Sequence, residues 1–162
     1  MKKIIPAALL TLALISVPGC MLKSEFTVGK DIKQADFTEF YYTVDSSTNP
    51  PEFQRYRFYT ENGKNYFYHE KREGDHWPLT EADATVKGSI ELTPDEWSVF
   101  WKLIEVGTVI RRSVSTDSGG RGPWLYLYWK KDRDEYQEFS FETLEKERGF
   151  ETFCRELSER SK

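Results

Sequence analysis

Three rings on one strand carry the most individual chemistry in this sequence. In PWLYLYW (Pro123 to Trp129), alternation sends Trp124, Tyr126 and Tyr128 to one face and Leu125, Leu127 and Trp129 to the other. Trp and Tyr join apolar area to a polar tip, so such a row suits stacking on sugars or gripping a peptide. Trp77, in the connection EGDHWPLTEAD, is a fourth candidate binding residue, and Tyr56 or Tyr66 on neighbouring strands could extend the row. Two other arrangements stay open: a sheet packed on both faces, or tyrosines covering a wet face with their hydroxyls. A contiguous patch would decide for binding, because monomers rarely leave one open without a use.

The remaining reactive residue types point away from catalysis. His69 and His76 are the two histidines, flanked by Glu70, Glu73 and Asp75. A metal needs three or four convergent ligands, and neighbours on a strand point to opposite faces, so the expectation is a solvated polar loop and no metal. STDSGGRGPW (Ser115 to Trp124) is glycine-rich but lacks the lysine and spacing of a phosphate-cradling loop. Serines 113, 115 and 118 sit in no nucleophile elbow. Cys154 lies at helical spacing among Phe150, Phe153 and Leu157, where a thiol behaves as a small buried hydrophobe. No catalytic residue and no cofactor is expected. Paired carboxylates are too common in so acidic a chain to mark a hydrolase, although an envelope hydrolase with a carboxylate site remains the alternative, beside a purely structural role.

Cys20 invites a different chemistry. Met1-Lys2-Lys3 is basic, Ile4 to Val17 is almost wholly apolar, and Pro18-Gly19-Cys20 follows. This is the anatomy of a secretory signal, and the run is short for a membrane span of roughly 20 apolar residues. Val17-Pro18-Gly19-Cys20 resembles the lipobox of bacterial lipoproteins. That resemblance implies diacylglyceryl transfer to the Cys20 thiol, cleavage before it and anchoring to a bacterial membrane by lipid. The expected organisation is a signal over 1–19, a lipidated N-terminus and tether over 20–35, and a single domain over 36–162. The implied location is extracytoplasmic.

Composition bounds what such a domain can meet. Taking Lys2 and Lys3 from 23 basic residues leaves 21 against 27 acidic ones, a net of −6. With no basic tract, nucleic acid is excluded as a partner, since phosphate neutralisation dominates that affinity. Aromatics at 15% supply a core and charged residues at 31% a wet outside, so a folded domain is expected. One cysteine beyond Cys20 allows no disulfide within it.

The elements that would position these side chains are mostly strands. FTEFYYTV, FQRYRFYT and NYFYHEKR are dense in aromatic and β-branched residues, and Asn62-Gly63 between the last two marks a tight hairpin. ATVKGSIEL follows. TPDEWSVFWKLIEV is a helix with Thr93 as cap, Pro94 at its first turn and Glu96 as capping-box partner. The second half runs TVIRRSVS, PWLYLYWKK, a KDRD turn and EYQEFSF, then a helix in TLEKERGFETFCRELSERSK carrying Leu144, Phe150, Phe153, Cys154 and Leu157 inward. The predicted class is α+β, an antiparallel sheet of six or seven strands with two helices packed on one face. The stretches GDHWPLT, LTPDEW and GPWLYLYWKK…YQEFSF resemble small bacterial lipoproteins without an assigned activity. That likeness implies anchoring and an α+β domain, not a mechanism. A binding or interaction module for a glycan, cell-wall or peptide ligand is the expected function.

Overall fold

The computed structural model describes residues 26–116, 120–129 and 135–161. Cys20, the whole expected signal and the KDRD turn lie outside them. Strands β1 (Phe26–Val28), β2 (Phe37–Ser46), β3 (Glu52–Glu61), β4 (Lys64–Glu73) and β5 (Ala84–Glu91) precede helix α1 (Pro94–Ile104). Then come β6 (Thr108–Arg112), β7 (Trp124–Trp129), β8 (Tyr136–Ser140) and α2 (Leu144–Arg160). They form one antiparallel sheet of eight strands in the order β1-β6-β8-β7-β2-β3-β4-β5. The α+β class is as expected.

The strand beyond the expected six or seven is β1, which falls in the stretch read as tether. It pairs with β6, Gly29 N–H then donates to Gly107 O at 2.8 Å, and Ile32 is buried. Three residues are too few to show an alternating pattern, so its sheet pairing left no mark in the sequence.

Register explains which side chains meet. Phe40 lies opposite Phe58 and Leu127, and Phe58 opposite Phe67, so one face is a continuous apolar floor. Both helices cover it. Phe100 of α1 stacks on Phe58 at 4.3 Å, and Phe150 of α2 meets Phe40 edge-on at 5.2 Å. Trp101, Ile104, Cys154 and Leu157 complete the core. Burial raises the Cys154 thiol well above its ordinary pKa, with the Glu151 carboxylate adding to the effect, so it is chemically inert there. Leu144, expected inward, is 60% exposed at the first residue of α2, before the helix reaches the sheet.

Caps fix both helices. Thr93 and Glu96 exchange side-chain and backbone hydrogen bonds as a capping box, and Thr143 caps α2. At the β3–β4 turn, Asn62 and Gly63 hold φ of 52° and 76°, the paired positive values that match a two-residue hairpin.

Candidate functional site

The face away from the helices presents Glu39, Tyr41, Thr43 and Asp45 on β2. Opposite them in register stand Tyr59, Arg57, Arg55 and Phe53 on β3, and Tyr128, Tyr126 and Trp124 on β7. A polar lattice covers the β3 side. The Glu39 carboxylate is fully buried; it accepts from Tyr41 at 2.6 Å and from Arg57 Nε at 2.8 Å, and Arg57 Nη2 lies 2.7 Å away. Arg57 also lies 4.4 Å from the centre of the Tyr59 ring and 5.5 Å from that of Tyr41. Arg72 sits 4.3 Å over Phe53 and holds Glu70 at 2.7 Å. Burial raises the Glu70 carboxyl, but hydrogen bonds from Arg72 and Tyr68 outweigh it and hold the group below its ordinary pKa.

Toward β7 the same face opens into a groove of about 700 Å³. Trp124, Tyr126, Tyr128 and Tyr41 supply its rings, and Trp77 reaches it from the β4–β5 connection. All four candidate binding residues therefore line one cavity. Tyr126 and Tyr128 stack at 6.2 Å, and Tyr41 meets Tyr128 edge-on at 6.5 Å. Tyr126 is buried among these neighbours, with its hydroxyl 2.7 Å from Ser115 Oγ, whereas Trp77 is 49% exposed. Thr43, Asp45, Ser47 and Arg55 add polar groups.

Both rims are held in place. Arg72 donates to Leu79 O at 3.2 Å, and Thr80 with Asp83 forms a capping box that stiffens the connection carrying Trp77. Backbone and side-chain hydrogen bonds from Thr80 keep the Asp83 carboxyl below its ordinary pKa, and His76 Nε2 stands 3.2 Å from it. On the other rim, Asp45 N–H donates to Arg121 O at 3.3 Å, and the Arg121 guanidinium pairs with Glu52 at 2.9 Å. Gly122 has φ of 83°, and a Cβ there would lie 2.6 Å from Trp124 Cε3 and 2.9 Å from Thr43 O. Only glycine lets the Trp124 ring lie against that backbone.

Some expected neighbours fall elsewhere. Tyr56 belongs to the helix-covered face, where its ring lies 5.0 Å from that of His69, and Tyr66 stacks on Tyr59 outside the groove. His69 is buried there, not in a solvated loop. Sequence reasoning missed Tyr41, Thr43, Asp45 and Arg55. Their alternation with Phe40, Tyr42 and Val44, and with Tyr56, marked an open face, but nothing local says that β2 pairs with β7.

Other cavities offer less. One of about 480 Å³ near the C-terminal half of α2 holds His69, Arg155, Glu151 and Tyr42, with the Tyr42 hydroxyl donating to Glu151. Desolvation, then the hydrogen bond to Glu151, drives the Tyr42 hydroxyl far above its usual pKa. Glu147 and Glu138 line a third cavity of about 370 Å³ between β7 and β8, where Glu138 already accepts from Arg112 and Thr116. Among the described residues, no three His, Cys, Asp or Glu side chains gather as a metal site, and no helix is long and apolar enough to cross a membrane.

No family model, curated protein or solved structure matches this chain. The groove must speak for itself.

Proposed function

We propose that the chain is a membrane-anchored, extracytoplasmic binding module whose ligand is a sugar chain lying in the β7-β2-β3 groove. The carrying observation is the convergence of Tyr41, Trp77, Trp124 and Tyr128, with Tyr126 beneath, around one cavity that also offers Thr43, Ser47 and Asp45. Sugar rings have apolar C–H faces for the aromatics and hydroxyls for the polar groups. A peptide is the weaker fit. Strand β2 is paired on both sides, so the groove floor has no free backbone row to hydrogen-bond an added strand. The anchor would be lipid on Cys20, as the Val17 to Cys20 likeness implies.

The test is a thermal melt of the full chain in neutral detergent against neutral and acidic oligosaccharides, cell-wall fragments, short peptides and divalent metals. A ligand at 100 times its Kd stabilises the native state by about 2.7 kcal/mol. A raised midpoint with an oligosaccharide, lost in a folded Trp124→Ala variant, is the expected result. A shift with peptides alone, or with no ligand, refutes the glycan reading. The anchor is tested separately: intact mass should report acyl chains on Cys20 that disappear in Cys20→Ala.

A further inference from the structure

Among the described residues, four arginines lie on the open face, and three of them have their charge answered, Arg112 by Glu138 at 2.5 Å. Arg57 is held by the buried Glu39, and Arg72 by Glu70. Arg55 is different. Its Nε donates to a neutral hydroxyl, Thr43 Oγ1, at 3.2 Å, and its guanidinium lies 5.7 Å from the Tyr41 ring centre and 5.3 Å from that of Phe53. It makes no ion pair among the described residues, and it lines the aromatic groove. Glu70 stands across from it on β4 and feels the Arg55 charge, which helps to lower its pKa, but the hydrogen bonds that carboxylate accepts come from Arg72 and Tyr68.

We propose that Arg55 is an anion subsite and that the sugar chain recognised by the groove carries carboxylates, as a uronic-acid oligosaccharide does. The inference rests on the groove reading above and names the ligand's class. A planar guanidinium with one edge committed to Thr43 keeps donors for a carboxylate, and such charge-assisted hydrogen bonds are roughly twice as strong as neutral ones. The rings of Tyr41 and Phe53 hold the guanidinium in place before the ligand arrives, which limits the entropy lost on binding. The chain as a whole is acidic, so this recognition is local, not a long-range attraction.

The experiment compares two probes with the same rings. Oligogalacturonate and its fully methyl-esterified form are titrated into the full chain in neutral detergent, with tryptophan fluorescence as the readout. The acid should bind at least tenfold tighter than the ester and weaken with added salt, while the ester is indifferent to salt. Arg55→Gln should bring the acid to the ester's affinity and remove the salt dependence of the acid's binding; Arg55→Lys should recover part of the difference. Equal binding of both probes overturns the anion subsite and leaves the glycan groove standing. No binding of either overturns both. A hexaglutamate peptide that binds as tightly as the acid replaces the sugar with an acidic peptide and overturns the proposal. If Arg55→Gln fails to fold, the acid-to-ester ratio and its salt dependence in the natural chain still decide.

Discussion

Gly122→Ala should damage the groove more than the fold, and Gly63→Ala provides the scale. Both glycines have positive φ, 83° and 76°. An alanine in that region costs about 1–2 kcal/mol from the clash of its Cβ with its own backbone. At Gly63 nothing lies within 4 Å of the added carbon, so that cost is the whole effect. At Gly122 the carbon would also meet Trp124 Cε3 at 2.6 Å and Thr43 O at 2.9 Å. The ring can move and the carbonyl of a doubly paired strand cannot, so Trp124 must leave its position. Overpacking of this kind adds about 1–3 kcal/mol. Urea unfolding at unchanged m-value should therefore place Gly122→Ala about 1–3 kcal/mol below Gly63→Ala. Near-UV circular dichroism should change in the first variant only. Adding Trp124→Ala to Gly122→Ala should return part of the loss, a coupling that a double-mutant cycle reads directly. Equal destabilisation of the two glycine variants, with no coupling to Trp124, would refute the claim that Gly122 seats that ring.

Two further outcomes test the surrounding lattice. Glu39→Gln removes the buried charge that answers Arg57, whose own side chain is one-third exposed, and should destabilise by about 1.5–3 kcal/mol, the range for a hydrogen bond to a charged group, as measured by chemical denaturation. An effect under about 1 kcal/mol would show that the pair behaves as an exposed one. Burial, and then the neighbouring Glu151 carboxylate, raises the Glu147 pKa. A carboxyl whose folded pKa exceeds its unfolded value is unfavourable to stability when ionised, and that penalty fades as pH falls through the folded value. Glu147→Gln should therefore raise the melting temperature at pH 7 and lose its advantage in the acid range. A constant advantage at every pH would refute the electrostatic cause.

The sequence was legible wherever structure is local. Thr93-Pro94 with Glu96, and Asn62-Gly63, carry their own stop and start chemistry, and both stand where the residue types place them. The two faces of PWLYLYW were also readable, because period-two alternation survives without knowing any partner. Pairing was not. Tyr56 looked like a neighbour of the tyrosine row, yet one residue of register decides its face, and the register with β2 turns it toward the helices. Arg55 entered the groove for the same reason, as the next residue along the strand. β1 was silent because its partner β6 lies some eighty residues away, and three residues carry no period. Cys20 lies outside the described residues, so its chemistry stands on the sequence alone.

The groove spans a seam between the two halves of the chain: β2 and β3 come early, β7 comes late, and only the β2–β7 ladder joins them across its floor. During synthesis the residues of the early meander from β2 to β5 are made before those of β7. In that interval β2 presents a ten-residue unpaired edge, rich in aromatics, the kind of edge that recruits foreign strands. The completed chain closes that edge with the same strand that brings Trp124, Tyr126 and Tyr128. Maturation of the site and protection from aggregation are thus a single event, and a chain cut short before residue 129 forfeits both.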